Sequence, residues 1–389
     1  MKTPSRIQLP LLHAYRKQLG LSLIELMVSL TIGLIIILAL VTAFLNFSRT
    51  NREMAKNNIM IENGRLAIHV LQNDMVHAGF WGGYVPQFDN LAWTSAPADV
   101  PGSAPDACLA YNAANWTPAY LTSLVGIPLQ VYDAAPATCN LVITNKKASS
   151  DVIVVRHAET CIPGVGNCES DVAGKLYFQA SRCSADPSPY VIDTDTSKFV
   201  LRNMDCPAPP AVSVTPKRKF ISNIYYIRDY ANSPGDGMPT LVRSQFDLSG
   251  VTLAHQAAVP LIEGIEGMRV EIGVDNLGKT GAATDYTAAV NWLDAANKTT
   301  PTNRGDGTPD GDFVSCTTAS PCTAPQLVNA VAAKIYLLAR NLEPTPEYTD
   351  SKTYHLGTTT LGPFNDHYKR HLFSTTVRLV NVSARRETP

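Results

Sequence analysis

The feature that most constrains this chain is an apolar run from Leu21 to Leu45 that begins directly after Gly20. A helix over this run is long enough to cross a bilayer, which takes roughly 20 residues. The run contains one charged residue, Glu25, near its start. A charge inside a membrane helix costs roughly 2.5–3.5 kcal/mol on insertion scales, so a plain anchor gains nothing from it. The glutamate therefore predicts a partner that compensates its charge.

The charges on either side of the run predict its orientation. The residues before it contain no acid, and their basic residues are Lys2, Arg6, Arg16 and Lys17. Basic residues stay on the cytoplasmic side, so the C-terminal part is expected across the membrane. Arg49, Arg52 and Lys56 on the far side reduce this asymmetry. The pattern predicts a single-pass protein.

Two ordinary interpretations compete for this segment. A cleavable secretory signal is disfavoured because the apolar run is too long and no small-x-small site follows it. A plain signal anchor leaves Gly20 and Glu25 unexplained. The anchor stays open as the alternative of a different class, in which the chain is a signal-anchored periplasmic enzyme or binding protein.

The helix is expected to continue beyond the apolar run. A narrow apolar stripe crosses an otherwise polar stretch at a spacing of seven residues, and its members are Phe47, Met54, Ile61, Ile68 and Met75, with Leu71 beside them. Such a stripe is typical of an amphipathic helix that lies on a domain. Gly79, Gly82 and Gly83 indicate the end of the helix. The stripe predicts that the second half of the helix docks on the globular part.

The cysteines favour disulfides in an oxidising compartment. Their number is even, none forms a CxxC pair, and all lie beyond the apolar run: Cys108, Cys139, Cys161, Cys168, Cys183, Cys206, Cys316 and Cys322. Zinc sites usually need closer ligand pairs. The two tightest spacings suggest Cys161–Cys168 and Cys316–Cys322 as local pairs.

The remaining pattern is that of an α+β chain with an antiparallel sheet. Strands are expected at Val152–Val155, Phe220–Arg228, Leu241–Phe246, Met268–Val274, Lys334–Arg340 and Phe373–Leu379. We divide the chain into a leader, a transmembrane and assembly helix, its amphipathic continuation, a Pro/Ala/Cys-rich insertion with β segments, and a β-rich domain. The bounds of these parts are 1–20, 21–46, 47–80, 81–215 and 216–389.

Two motifs resemble ligand-binding motifs, but the residues around them do not support ligand binding. The segment Gly273–Thr280 satisfies the P-loop expression, but Gly281 and the residues after it make a poor first helical turn, so nucleotide binding is disfavoured. The Asp-rich segment Asp306–Asp312 departs from the EF-hand pattern at Thr308, and Thr317 stands where the bidentate Glu belongs, so we interpret it as a solvated turn.

No other pattern supports an enzyme or a nucleic-acid-binding protein. There is no HExxH or GxSxG motif, and His157 beside Arg156 at a strand end is more often structural than catalytic. The formal net charge is −1 and no basic stripe is present, so nucleic-acid binding has little electrostatic support.

Lys17 to Val28, with the sequence KQLGLSLIELMV, resembles the class III signal of type IV prepilins and type II secretion pseudopilins. In that superfamily a prepilin peptidase cuts after the glycine, and the new N-terminal residue is N-methylated. The resemblance implies cleavage between Gly20 and Leu21, methylation of Leu21 and an assembly role for Glu25. Leu21 departs from the Phe that the superfamily usually has.

Several segments further along the chain resemble the minor pilin PilW family. They are Phe220–Arg228, Met238–Arg243, Leu261–Asp275, Val328–Arg340 and His371–Asn381. The resemblance covers most of 15–85 and 215–385 and leaves 86–215 mostly uncovered. It implies a pilin-like fold with a long N-terminal helix on an antiparallel sheet, and a non-enzymatic subunit without cofactor, metal or nucleic-acid partner. The alternative within the superfamily is a minor pseudopilin of type II secretion.

The resemblance also implies partners and a location. Such subunits lie in the inner membrane with a periplasmic C-terminal domain, and join other minor pilins and the major pilin through the N-terminal helix. They prime pilus assembly and enter the pilus. A candidate place within the pilus is its tip, and a candidate partner is a tip adhesin. The terminal amine of a neighbouring subunit, with a reference pKa of about 8, would compensate Glu25 in the helix bundle.

Overall fold

A computed structural model describes residue 20, residues 22–206 and residues 213–388. The described residues divide into two compact units between Ala55 and Lys56. The helices are α1 Leu23–His77, α2 Pro118–Gly126, α3 Ala324–Val328 and α4 Val380–Ser383. Short 3₁₀ turns lie at Gln87–Asp89, Ala137–Cys139 and Thr196–Lys198. The leader, residues 1–19, and Leu21 lie outside the described residues.

The strands form two larger sheets and one hairpin, and every strand pair in the described residues is antiparallel. They are β1 Leu129–Tyr132, β2 Val152–Ala158, β3 Tyr177–Ala180, β4 Tyr190–Asp193, β5 Arg218–Arg228, β6 Thr240–Ser249, β7 Thr252–His255, β8 Val259–Glu263, β9 Ile265–Val274, β10 Val314–Ser315, β11 Ala330–Arg340, β12 Tyr354–Leu356, β13 Thr359–Leu361 and β14 Arg370–Arg378. The first sheet runs β1-β2-β5-β3-β4, with β6 beside β5 and both β7 and β8 on β6. The second runs β10-β9-β11-β14, and β12 pairs with β13. The predicted α+β class is confirmed.

The C-terminal half of α1 buries a stripe that differs from the one expected. Its buried apolar positions are Met60, Ala67, Leu71 and Met75, with Gly64 between them. Of the expected stripe, Met75 and Leu71 are buried, Ile61 and Ile68 are half-buried, and Met54 is 59% exposed. The expected stripe is wrong at Phe47 and Met54, which are 65% and 59% exposed, because the buried line of the helix passes instead through Met60, Gly64 and Ala67.

The main core lies between the second half of α1 and both sheets. Ile153 and Val155 of β2 face this core together with Tyr225 and Ile227 of β5. The second sheet contributes apolar side chains from three of its strands. They are Met268, Val270 and Ile272 of β9, Ala333, Ile335 and Leu337 of β11, and Val377 of β14. Alternating side chains of a strand face opposite sides of its sheet, so each strand offers one set to this core.

The residues between α1 and β5 cover the other face of the first sheet. Val152 and Val154 of β2 pack there with Ala107 and Cys139, while Phe220 of β5 packs with the aromatic residues Trp81, Trp116 and Phe178. Strand β2 is therefore buried on both faces, which explains its continuous apolar sequence. Strands β1 to β4, which come from the predicted insertion, share one sheet with β5 and β6 of the predicted β-rich domain.

The eight cysteines form four disulfides in the structure. The pairs are Cys108–Cys139, Cys161–Cys168, Cys183–Cys206 and Cys316–Cys322. They include both local pairs that the spacing suggested. The other two close longer loops, which span 31 and 23 residues of sequence.

The C-terminal tail is held by a buried arginine. Arg386 Nε donates to Asp89 Oδ1 at 2.9 Å, and its Nη1 donates to Asp275 Oδ2 at 3.2 Å. The same guanidinium reaches Asn329 Oδ1 and the carbonyl of Val328. The guanidinium thus meets acceptors from three segments of the chain, around Asp89, Asp275 and Val328–Asn329. The last residues thereby tie the 3₁₀ turn after α1 to the second sheet.

The two ligand-like motifs form ordinary loops. Strand β9 ends at Val274, and the following residues turn back, with Gly278 N donating to Ala282 O at 2.8 Å rather than opening a helix. Asp306 Oδ1 accepts from Thr308 N, and Asp310 Oδ2 accepts from Asn276 N and Leu277 N, so these carboxylates hold the loop backbone. Within the described ranges, no group of three or more His, Cys, Asp or Glu side chains is placed to hold a metal ion.

Candidate assembly site

The helix begins with a reciprocal capping arrangement around Glu25. Ser22 N donates to Glu25 Oε2 at 3.1 Å, and Glu25 N donates to Ser22 Oγ at 3.4 Å. This is the capping-box pattern, in which the residue before the helix and the third helical residue satisfy each other's backbone N–H. The carboxylate also lies in the first turn, where the helix dipole favours negative charge. Glu25 therefore stabilises the helix start within its own chain.

The charge of Glu25 is only partly satisfied by this cap. Its Oε2 holds one backbone N–H, while within the described part of the chain Oε1 makes no hydrogen bond. A carboxylate can accept several hydrogen bonds, so capacity remains for a cationic group from another molecule. Glu25 can therefore cap its own helix and contact a partner at the same time.

The helix that follows is apolar around its whole circumference. Large side chains from Leu23 to Leu45 are exposed, with Leu34 at 71% and Phe44 at 69%. α1 is the one helix in the described residues that is long and apolar enough to cross a membrane. A helix that is apolar on all sides is stable only inside a membrane or among other apolar helices. This surface is the one that needs partners.

The predicted processing position lies at the start of this segment. Gly20 is exposed, and a Cβ placed on it would meet no other atom within 4 Å. Within the described residues, no contact restricts approach to this glycine. The expected cleavage position and the methylated residue both involve Leu21, which lies outside the described residues.

A buried polar cluster joins the second half of α1 to the first sheet. Asp74 Oδ1 lies 2.9 Å from Nε2 of His157 on β2, and Asn223 Nδ2 on β5 donates to Asp74 Oδ2 at 3.0 Å. Burial raises the pKa of Asp74, but the hydrogen bond and charge of His157, together with the Asn223 amide, outweigh it and lower the pKa below its usual value. His157, which the sequence suggested to be structural, thus positions the helix.

The helix also approaches the second sheet closely at Gly64. A Cβ on Gly64 would overlap the ring of Phe373 on β14, so a larger side chain there would require the ring to shift. Lys56 Nζ lies 3.4 Å from Glu343 Oε2 at the outer end of the same contact.

Neither Gly64 nor Asp74 was identified from the sequence, because a glycine and an acid inside an amphipathic helix look unfavourable until their partners are known. The Ser22–Glu25 cap was missed although its S-x-x-E spacing is visible in the sequence.

Comparisons with known proteins match the two ends of the chain. Residues 224–381 match the family described as Type IV Pilus-assembly protein W, and residues 15–41 match the prokaryotic N-terminal methylation motif. A solved type IV-like pilin from Thermus thermophilus is similar with 12% sequence identity and a TM-score of 0.31, over 83% of this chain and 97% of that chain. No curated protein matches the chain. The region between the two matched segments includes the predicted insertion.

Proposed function

We propose that this chain, in which residues 224–381 match the Type IV Pilus-assembly protein W family and residues 15–41 match the N-terminal methylation motif, is a minor pilin that helps to initiate pilus assembly. It acts as part of a priming complex with other minor pilins, and this complex lies at the pilus tip. The observation that carries the proposal is the combination of the N-terminal methylation motif with an exposed apolar helix that begins at a capped glutamate. The role is structural, without catalysis or a cofactor.

Processing prepares the helix for assembly. The prepilin peptidase cuts between Gly20 and Leu21, and Leu21 becomes the methylated N-terminal residue. The Ser22 N–H that holds Glu25 is not part of the cleaved bond, so the cap survives processing. The protein is anchored in the inner membrane with its disulfide-bonded domain in the periplasm, where disulfides form and persist.

Assembly then pairs the charge of Glu25 with a neighbouring subunit. The terminal amine of another pilin carries the complementary charge at neutral pH, since its reference pKa is about 8. Among apolar helices an unpaired carboxylate is costly, and a paired one is much less so. The ion pair sets the axial register, while contact between apolar helix surfaces supplies the larger area. The partners are other minor pilins and the major pilin.

The test separates the charge of residue 25 from its capping role. Glu25→Gln keeps an acceptor oxygen for Ser22 N but removes the charge, whereas Ser22→Ala removes the side-chain half of the cap and keeps the charge. We expect both variants to be cleaved and methylated at Leu21 by mass spectrometry. Glu25→Gln should lose co-isolation of partner minor pilins from membranes, and Ser22→Ala should retain it.

The opposite pattern would contradict the mechanism. If Glu25→Gln recovers partners as the unmodified chain does while Ser22→Ala does not, the glutamate acts as a cap and not as an assembly contact. An intact leader in the mature protein would reject the pilin proposal altogether and favour a signal-anchored periplasmic protein. Loss of twitching on deletion, with type II secretion unchanged, would distinguish a pilin from a pseudopilin.

A further inference from the structure

A cavity of about 430 Å³ lies between strand β4, helix α2 and the segment that follows α1. This volume falls within the range of small-molecule sites, which is roughly 300–1,000 Å³. The residues in its walls all lie between Tyr84 and Ile192, outside both segments that match a known family. Nothing in the proposed assembly mechanism uses this cavity.

Two tyrosine rings form part of the cavity wall. Tyr84 and Tyr190 both line it, and the centroids of their rings lie 4.9 Å apart at an interplanar angle of 56°. Phe178, which is buried and does not reach the cavity, stacks on Tyr190 with the ring centroids 5.6 Å apart. Leu121 and Ile192 add apolar surface. Aromatic rings packed in this way form a preformed surface, and their faces attract cations.

The cavity contains one acid and, among the described residues of its walls, no basic side chain. The acid is Asp99, which is half-buried and is therefore open to a ligand in the cavity. Its Oδ2 accepts from Gln87 N at 2.7 Å and from Tyr84 Oη at 3.1 Å, and its Oδ1 accepts from Phe88 N at 3.3 Å. These three neutral donors hold the carboxylate in place.

The charge of Asp99 has no counter-ion within the described part of the chain. Arg385, whose charge acts on the neighbouring Tyr84, is itself paired with Asp89 at 3.6 Å. Burial raises the pKa of Asp99, and the charge of Asp89 acts in the same direction, whereas the three donors oppose it. A positive charge nearby would stabilise the carboxylate. A water molecule can add a hydrogen bond here, but it cannot supply the missing charge.

We propose that this cavity binds a small organic cation whose positive nitrogen carries apolar groups, as in a quaternary ammonium compound. The nitrogen lies against the rings of Tyr84 and Tyr190, within electrostatic reach of Asp99. The rest of the ligand lies against Leu121 and Ile192. Because the donors to Asp99 come from the chain itself, the ligand contributes charge rather than a hydrogen bond. This favours an alkylated nitrogen over a primary ammonium group, which is strongly hydrated.

The test uses the full chain in maltoside detergent micelles, whose head groups carry neither charge nor ammonium. The probes are choline and its neutral isostere 3,3-dimethyl-1-butanol, which has carbon in place of the nitrogen. Binding is measured by saturation-transfer difference NMR on the methyl protons, with protein-free micelles as the blank. We expect saturable binding of choline and roughly tenfold weaker binding of the alcohol, because the alcohol lacks the charge that the carboxylate and the rings attract.

Two pairs of variants assign the binding to the cavity. Asp99→Asn removes the charge and should weaken choline binding roughly tenfold. Asp195→Asn is its control, because Asp195 also caps a 3₁₀ turn but lies outside the cavity, and it should leave binding unchanged. Tyr190→Leu removes a ring and should weaken binding roughly two- to fivefold, whereas Tyr190→Phe keeps the ring and should retain binding. Thermal unfolding of each variant checks that the fold is retained.

Absence of saturable choline binding to the unmodified chain would overturn the proposal. Equal binding of choline and the alcohol would overturn it as well, and this comparison needs no variant. Unchanged binding in Asp99→Asn would exclude the carboxylate as the attracting group. An equal loss in Asp99→Asn and Asp195→Asn would indicate attraction to surface charge in general and would reject the site.

Discussion

Gly64 shows how one residue can set the distance between a helix and a sheet. Glycine inside a helix normally costs about 1 kcal/mol relative to alanine because of its backbone freedom. Here the ring of Phe373 occupies the space that a Cβ would need. The unfavourable local propensity is therefore offset by a close contact that a larger residue would disturb.

We predict that Gly64→Ala destabilises the globular part by about 1–3 kcal/mol, the usual cost of overpacking a core, despite its better helix propensity. Gly33→Ala is the matched control, because a Cβ on Gly33 meets no atom within 4 Å. Urea unfolding measures both. The additional change Phe373→Leu should recover part of the loss. Equal stability of Gly64→Ala and the unmodified chain would show that the ring can move away at no cost.

Single residues with a local signal could be identified from the sequence. Gly20 and Glu25 are recognisable because their significance depends on the immediately adjacent apolar run. The assembly roles of Glu25 and Leu21 remain predictions. Gly64 carries no such signal, since its function depends on a residue that is distant in the chain.

The contact between α1 and the first sheet includes a buried hydrogen-bonded cluster around the Asp74 carboxylate in addition to apolar packing. Asp74 and His157 are both largely buried and lie 2.9 Å apart. Replacing a buried carboxylate that accepts hydrogen bonds leaves its partners unsatisfied, which costs about 1–3 kcal/mol. The pair also selects one rotational setting of the helix on the sheet.

We predict that Asp74→Asn lowers the free energy of unfolding at pH 7 by about 1–3 kcal/mol, the usual cost of a disrupted hydrogen bond at a buried charged group. Because the pKa of Asp74 is lowered in the folded chain, its contribution is present above the ordinary pKa of 3.8 and is lost as the pH falls below that value. Urea titrations at neutral and at strongly acidic pH measure the difference. Glu343→Gln, at the exposed Lys56 pair, is the control and should cost less than about 1 kcal/mol. A loss that is the same at both pH values would contradict the ionic explanation.

Elements with a strong period were predictable, and short ones were not. All six expected strands are present as β2, β5, β6, β9, β11 and β14. The missed strands are shorter, such as β3 and β10, and too few residues alternate in them to give a pattern. α2, which begins after Thr117 with Pro118 at its first position, lies in a region that we interpreted as loops. Its apolar face is set by long-range packing.

The charged groups inside the molecule give its stability a dependence on pH. His255 on β7 is buried beside Ser222 and Ser244. Burial, followed by the positive charge of Arg156, lowers the pKa of His255 to about 3. The folded chain therefore keeps this imidazole neutral over a range in which the unfolded chain takes up a proton.

We predict that the free energy of unfolding decreases as the pH falls from about 6.5 toward 3, by up to about 1.4 kcal/mol per pH unit from this residue. The sign follows because the unfolded state binds more protons than the folded state in this range. His255→Gln should show a flatter pH profile, and the exposed His69→Gln should keep the profile of the unmodified chain. Denaturant titrations across this range measure the three profiles. Parallel curves for His255→Gln and the unmodified chain would exclude His255 as the cause.

The amino-acid sequence was sufficient for the apolar helix, the periodic strands and the two local disulfides, Cys161–Cys168 and Cys316–Cys322. These features depend on residues that are close together in the chain, so composition and spacing carry them. Which stripe of α1 is buried, how β1 to β4 join the sheet of β5, and the cavity beside Asp99 became evident from the fold. The reason is that these features depend on contacts between distant segments. The energy of a contact such as Gly64–Phe373 or Asp74–His157 exists only after the chain has brought the two partners together.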